Sequence, residues 1–117
     1  DNVNFPILVD VFETQDSFIV EAEVPGIEKN KIILEISDDS LIIKGIKRDI
    51  RVRNSKLYYY CMERDFGKFN RVVELPKACD ATQATAKIQD GLLLVEFPKI
   101  KERRGRSKKI DIIGEEK

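Results

Sequence analysis

The sequence contains no histidine, and this limits the chemistry that its side chains can perform. Ser-His-Asp and Cys-His nucleophilic sites both need an imidazole to accept the proton of the nucleophile. The phosphate-binding pattern G-x-x-x-x-G-K-[ST] is also absent, so nothing in the sequence indicates nucleotide binding or work driven by ATP. We therefore predict that the protein is not an enzyme and that it uses no cofactor.

Paired carboxylates and two cysteines are the remaining candidates for metal binding or acid–base chemistry. Asp38-Asp39 occupies a turn and Glu115-Glu116 a polar terminal stretch, where such residues are usually solvated. Cys61 and Cys79 are eighteen positions apart, and no histidine can complete a zinc site with them. We predict no metal site and two buried or half-buried free thiols; a disulfide is the less favoured alternative, because such bonds are rare in the cytosol.

Nucleic-acid binding is a further possibility, because tyrosines 58–60 could stack on bases and a basic run could bind phosphates. The segment Lys99 to Lys109 holds seven Lys or Arg residues against one acid, Glu102, and we expect it to be solvated. However, the tyrosines and the basic run are far apart in sequence, and the 21 basic and 21 acidic residues of the chain cancel. We predict no nucleic-acid partner, since the overall electrostatic footprint is missing.

Length and composition indicate a single globular domain. The chain has 117 residues, of which 36% are charged and 42% hydrophobic. No apolar run approaches the roughly 20 residues of a membrane span, and no signal-peptide pattern opens the sequence. We expect a cytoplasmic protein without a membrane span.

Alternation of apolar and polar residues predicts an all-β fold. Asp90-Gly91 is a turn dipeptide, and the apolar run Leu92–Phe97 follows it and stops at Pro98, a pattern typical of a β-hairpin. The other predicted strands are Val9–Glu13, Phe18–Val24, Ile32–Ile36, Leu41–Gly45, Phe69–Leu75 and Ala84–Ile88. One face of each strand is apolar, so a second sheet must cover it.

Arg71 interrupts one of these apolar faces. It shares a face with Phe69 and Val73 by the strand period of two, which predicts a cation among apolar neighbours. Such a cation must be paired or lie at a subunit boundary. Glu63 and Asp65 are the candidate partners nearest in sequence.

Two segments have the pattern of strands that lack a partner in their own sheet. Residues 47–66 form a long polar excursion, yet Leu57–Met62 within it carries the β-favouring Tyr58, Tyr59 and Tyr60. After the basic run, Ile110-Asp111-Ile112 places two isoleucines on the same side of an extended strand. This spacing suits insertion into a groove by strand addition.

Taken together, these features resemble the small heat-shock proteins, specifically the α-crystallin domain of the Hsp20 family. The strongest motif is A-x-x-x-n-G-v-L, matched by Ala86, Gly91 and Leu93. A second is G-x-F-x-R-x-x-x-L-P, matched from Gly67 to Pro76, and a third is the I-x-I of the tail. The resemblance covers the chain from Val9 to Ile112.

The resemblance implies an immunoglobulin-like antiparallel β-sandwich with a long swapped-strand loop and an extended C-terminal tail. Residues 9–99 would be the α-crystallin domain, with the loop at 47–66, and residues 100–117 a flexible extension. Leu57, Tyr58, Tyr59 and Tyr60 would form the dimer strand, which pairs with the first strand of a partner, and Arg71, Val9 and Val11 would lie at the dimer interface. Ile110 and Ile112 would anchor the tail in a groove lined by Ile32, Leu34, Ile36, Ala84, Ala86 and Ile88.

The function that the resemblance implies is an ATP-independent holdase, which binds partly unfolded proteins as dimers that assemble into larger oligomers. The alternative is a co-chaperone adaptor like the related p23/CS sandwich, which binds one folded chaperone and lacks both the swapped-strand loop and the I-x-I tail. Residues 1–8 are expected to be a short remnant of the hydrophobic N-terminal arm that members usually carry. If Asp1 is a boundary made by shortening, we expect smaller assemblies and weaker client capture.

Overall fold

The computed structural model describes residues 6–49, 56, 58–100 and 110–114. Those residues form seven strands and two single 3₁₀ turns. The strands are β1 Val9–Glu13, β2 Ser17–Glu23, β3 Ile32–Ser37, β4 Ser40–Lys47, β5 Gly67–Glu74, β6 Thr85–Gln89 and β7 Leu92–Pro98. The 3₁₀ turns are Lys29–Lys31 before β3 and Ala81–Gln83 before β6.

The strands form two antiparallel sheets. One has four strands in the order β1-β2-β7-β6, and the other has three in the order β3-β4-β5. In the first sheet Val20 lies opposite Val95, and in the second Leu41 lies opposite Val73, so the apolar positions of neighbouring strands are in register. Alternation places these residues on one face of each sheet. Strands β1, β6, β3 and β5 are the sheet edges.

The core lies between the two sheets, and the predicted all-β, immunoglobulin-like antiparallel sandwich is confirmed. Its buried members are Ile7, Phe18, Val20, Ala22, Val24, Leu41, Ile43, Phe69, Val73, Leu75, Leu93, Val95 and Phe97. Ile7 was not expected among them, because residues 1–8 were predicted to be a remnant outside the domain. The amide of Glu23 donates to the carbonyl of Leu8 at 3.0 Å, which extends the main-chain pairing one residue beyond β1.

The turn between β6 and β7 has the conformation that its sequence predicts. Asp90 and Gly91 both have positive φ, 54° and 77°, which Asp tolerates and Gly adopts without a Cβ clash. The carbonyl of Gly91 accepts a hydrogen bond of 2.8 Å from the amide of Val24. The hairpin is thereby tied to the end of β2.

Lys99 is buried, which corrects the expectation that the solvated basic run begins there. Its side chain packs at the end of the sandwich, with Nζ 5.1 Å from the centre of the Phe18 ring. The ammonium donates to Glu13 Oε2 at 3.1 Å. The long aliphatic stem can be buried because the charged end reaches a carboxylate at the end of β1.

Candidate functional site

An open cleft lies between β3 and β6, the edge strands at one side of the sandwich. It consists of two adjoining parts of about 360 and 200 Å³. The apolar residues predicted to form the groove line it, namely Ile32, Leu34, Ile36, Ala84, Ala86 and Ile88. Leu93, Leu41, Val95 and Phe97 of the neighbouring strands complete its lining, so the cleft opens directly onto the core.

The cleft leaves apolar side chains accessible to solvent. Ile32, Leu34 and Ile88 are half-buried and pack against the core, whereas Ala84 and Ala86 are exposed. Ile36 shares the face of Ile32 by alternation, yet 42% of its surface is exposed. It lies near the end of an edge strand, where none of the described strands covers it.

The two ends of the cleft differ in charge. Lys29 and Lys87 line the end nearest Ile32. Glu35 lines the other end, beside Ile36, and its carboxylate lies 3.1 Å from Nζ of Lys44. The cleft is therefore apolar along its length. One end is basic, and at the other end the carboxylate of Glu35 is already paired with Lys44.

The predicted tail anchors are exposed. Ile110 and Ile112 are 85% and 96% accessible, and the described residues 110–114 form no strand. Two large apolar side chains in solvent are unfavourable, by roughly 1.5 to 3 kcal/mol each relative to burial. An apolar segment of this kind is available to a cleft such as the one between β3 and β6.

The tyrosine segment lies outside both sheets. Tyr58, Tyr59 and Tyr60 are 81%, 44% and 104% accessible, and the described residues 58–66 form no strand. The strand predicted for this segment is therefore not formed by its described residues in the single chain. Leu57, the first residue predicted for the dimer strand, lies outside the described residues.

Strand β1 has one paired edge and one open edge. It pairs with β2, and in the described chain nothing pairs with its other side. Val9 packs against the core, whereas Val11 and Phe12 are 47% and 42% exposed. An open edge with exposed apolar residues can accept a further strand.

Arg71 is exposed, and its partner is different from the acids predicted. Its Nη1 donates to the main-chain carbonyl oxygen of Ile7 at 2.9 Å, so neither Glu63 nor Asp65 is its partner. The hydrogen bond attaches the segment that leads into β1 to strand β5 of the other sheet. No local sequence signal predicts it, because 64 positions separate the two residues.

The three family-motif residues surround the β6–β7 hairpin. Ala86 lines the cleft, and Leu93 is buried in the core on the neighbouring strand. A Cβ added to Gly91 would lie 3.5 Å from Pro25, and φ there is positive, so the turn packs closely against the end of β2. Two of the three motif residues, Ala86 and Leu93, therefore line the cleft.

Of the remaining candidates for chemistry, Glu115-Glu116 lies outside the described residues, and the described candidates are not gathered into a site. In the part of the chain that the structure describes, no three Cys, Asp or Glu side chains are placed to hold a metal ion. Both cysteines are free; Cys61 is exposed, contrary to the prediction, and Cys79 is half-buried. Burial raises the pKa of the Cys79 thiol, and the negative charges of Asp80 and Asp39 raise it further. Among the described residues, no helix has the length and apolar character needed to cross a membrane.

Comparison with known sequences matches the chain to the family that its motifs resemble. The model of the Hsp20/alpha crystallin family matches residues 10–113. The chain is 32% identical over 108 residues to a 17.8 kDa class I heat shock protein of Arabidopsis thaliana, covering 91% of this chain and 69% of that protein. It is also 32% identical over 103 residues to small heat shock protein C4 of Rickettsia felis, covering 88% and 61% of the two chains.

Comparison with solved structures matches the chain to the same kind of protein as the sequence comparison does. Heat shock protein 16.0 from Schizosaccharomyces pombe matches with a TM-score of 0.76 at 28% identity, over 95% of this chain and 100% of that one. A small heat-shock protein from Xylella fastidiosa, described as having a distinct high order structure, matches with a TM-score of 0.75 at 26% identity, over 97% and 100% of the two chains. The sandwich, the motifs and these matches together show that the chain belongs to the Hsp20/alpha crystallin family of small heat-shock proteins.

Proposed function

We propose that the protein is an ATP-independent holdase of the cytoplasm, which binds partly unfolded proteins and keeps them from aggregating. The observation that carries the proposal is the open apolar cleft between β3 and β6. Unfolding chains expose apolar segments, and these aggregate because burial removes them from water. A cleft that buries such segments competes with their self-association without needing nucleotide.

The same cleft supports assembly of the protein with itself. Burying Ile110 and Ile112 of one chain in the cleft of another would contribute on the order of 3 to 6 kcal/mol before the tail's ordering cost is subtracted. The net affinity is then low enough for subunits to exchange and for clients to displace the tail. The solved relative from Xylella fastidiosa, with its distinct high order structure, supports larger assemblies in this family.

The dimer within these assemblies would be formed by the tyrosine segment. Strand β1 offers an open edge with exposed apolar residues, and the tyrosine segment has exposed, strand-forming residues that lie outside both sheets. Pairing of Tyr58–Tyr60 with β1 of a second chain would cover the open edge of β1 and would place the tyrosine segment in a sheet. Val9, Val11 and Arg71 would then lie at or beside this interface.

Chaperone activity is tested by heating an aggregation-prone client without nucleotide and following turbidity, with and without the protein. We expect substoichiometric to stoichiometric amounts of protein to suppress the turbidity. A matched pair of variants tests the cleft. Ile36→Ser changes a cleft residue that is 42% exposed, and Ile33→Ser changes a residue of the same strand that is 49% exposed on the opposite face.

We expect Ile36→Ser to weaken protection of the client and Ile33→Ser to leave it nearly unchanged. Equal effects of the two variants would rule out the cleft as the client site. No suppression by the unmodified protein, combined with a monomer in sedimentation, would instead favour the p23/CS-like adaptor.

The tail is tested by Ile110→Ala combined with Ile112→Ala. In an extended strand alternation would place both side chains on the side that enters the cleft, so we expect a lower oligomer mass by light scattering. Ile113→Ala is the control, because alternation directs Ile113 to the other side. An unchanged mass for the double variant would count against tail docking.

A further inference from the structure

The charges around the tail anchors are asymmetric. Lys108 and Lys109 precede Ile110 in the sequence, and Glu115 and Glu116 follow shortly after Ile113. An I-x-I segment considered by its isoleucines alone is nearly symmetric and fits a trough in either direction. The flanking charges remove this symmetry.

The cleft has the complementary asymmetry. Lys29 and Lys87 line one end, and neither ammonium is paired with a carboxylate in the part of the chain that the structure describes. At the other end Glu35 already lies 3.1 Å from Nζ of Lys44, so it attracts a second cation less strongly. The two lysines are therefore the main determinant of direction.

We propose that the tail enters the cleft in one direction only, with Glu115 and Glu116 beside Lys29 and Lys87. This inference rests on the tail docking in the proposed function and adds a direction and a charge specificity to it. Ile112 then occupies the larger part of the cleft beside Ile32, and Ile110 the smaller part beside Ile36. The docked tail runs parallel to β6 and antiparallel to β3.

The spacing of the chain permits this arrangement. An extended strand advances about 3.3 Å per residue, so Ile110 and Ile112 are separated by roughly 7 Å and can fill adjoining parts of the cleft. Glu115 follows Ile112 by three residues, and Lys29 precedes Ile32 by three. The carboxylates therefore reach the basic end when the isoleucines are seated.

The same rule applies to clients. An apolar segment followed by acidic residues satisfies Lys29 and Lys87, whereas one followed by basic residues meets like charge. The proposed cleft therefore prefers client segments that carry their acids on the C-terminal side of the apolar residues. Tail and client compete for the same lysines, so added salt weakens both.

Affinity is measured with a labelled synthetic peptide of residues 108–117. The receptor is the full chain carrying Ile110→Ala and Ile112→Ala, whose own tail no longer competes. We expect Lys87→Glu in this receptor to weaken peptide binding about fivefold at low salt, on the scale of exposed charge pairs. Lys68→Glu is the control, because Lys68 is an exposed lysine on another edge strand, β5.

A peptide with Glu115→Lys and Glu116→Lys should show the opposite preference. We expect it to bind the receptor with Lys87→Glu more tightly than the receptor that retains Lys87. The charge specificity would be overturned if Lys87→Glu and Lys68→Glu lowered the affinity for the unmodified peptide equally. It would also be overturned if the peptide with Glu115→Lys and Glu116→Lys did not prefer the Lys87→Glu receptor.

Direction is measured with a nitroxide placed at either end of the peptide and isoleucine methyl signals of the receptor. We expect the C-terminal label to broaden Ile32 and the N-terminal label to broaden Ile36, residues that lie about 13 Å apart along β3. The reverse pattern, or equal broadening by both labels, would overturn the single direction while leaving tail docking intact. Absence of any binding would contradict tail docking in the proposed function itself.

Discussion

Gly45 occupies a position in β4 where the chain has no space for a side chain. A Cβ there would overlap the carbonyl oxygen of Lys31 and lie 2.8 Å from Cζ of Phe69. The obstacle on one side is backbone and on the other a fully buried ring, so neither can move without displacing the core.

We therefore expect Gly45→Ala to lower the free energy of unfolding by about 1–3 kcal/mol, the range for overpacked cores. Urea denaturation of the purified variant measures this change. Gly114→Ala serves as the control, because nothing lies within 4 Å of a Cβ at that residue. Equal stability of the two variants would show that β3 and β4 adjust more easily than the packing indicates.

Cys79 and Cys61 should differ in reactivity. The Cys79 thiol is half-buried, and its pKa is raised above the usual 9.0 by burial and then by the charges of Asp80 and Asp39. Less of it is thiolate at any given pH, and the thiolate is the nucleophile. We expect iodoacetamide to modify Cys61 first at pH 8, as followed by mass spectrometry, and both cysteines at similar rates in urea.

The direction of this pKa shift also predicts a pH dependence of stability. Above pH 9.0 the unfolded chain loses the Cys79 proton before the folded chain does, so the unfolded state is favoured progressively until the folded thiol ionises too. Cys79→Ala should remove this component of alkaline destabilisation. Identical alkaline unfolding curves with and without the thiol would contradict the shift.

At the scale of elements, the Arg71–Ile7 hydrogen bond connects β5 to the segment preceding β1. We expect Arg71→Ala to lower stability by about 1 kcal/mol, the net contribution of a typical hydrogen bond. The larger effect should be local, with faster amide hydrogen exchange in residues 8–12, because the segment loses its attachment to the other sheet. Lys68→Ala on the same strand is the control.

If amide hydrogen exchange in residues 8–12 is no faster in Arg71→Ala, then burial of Ile7 is sufficient to hold this segment in place. Ile7 is 3% exposed, so its packing provides an independent attachment that the experiment separates from the hydrogen bond.

Most strands were predictable from local pattern. Val9–Glu13 coincides with β1, and the other six predictions differ from the strands by one or two residues at their ends. Alternation suffices here because a strand's two faces are set by its own sequence once one face meets the core. Ile36 shows where the pattern fails: its parity is that of an inward residue, but an edge strand at an open cleft leaves it accessible.

At the scale of the whole molecule, the tyrosine segment should control dimerisation. We expect Tyr58→Ser combined with Tyr60→Ser to raise the dimer dissociation constant at least about tenfold, because exposed aromatics are typical interface anchors. Sedimentation of the variant in the Ile110→Ala and Ile112→Ala background separates this step from larger assembly. Stability of the single sandwich should change little, since both tyrosines lie in solvent in the isolated chain.

Ile33→Ser is a suitable control, because Ile33 is 49% exposed on β3, an edge strand of the other sheet, on the face opposite the cleft. If the tyrosine variant dimerises as tightly as this control, the dimer must be formed by another surface. The open edge of β1 would then need a different partner.

The sequence by itself determined the fold class, the positions of the strands along the chain, the turn at Asp90-Gly91 and the family. These follow from alternation, turn residues and short motifs, all of which depend on neighbours within a few positions. The family resemblance indicated that Ile32, Leu34, Ala86 and Ile88 line a groove, whereas alternation by itself predicted only that they share the apolar face of their strands.

Only the tertiary structure decided how far those residues are covered and which distant groups meet. Lys99 is buried because Glu13, 86 positions away, receives its ammonium, and Arg71 meets Ile7 across 64 positions. The cleft remains open because β3 and β6 are both edge strands, a result of the order in which strands pair. Local sequence specifies which face of a strand is apolar, whereas the pairing of the sheets decides whether another strand covers it.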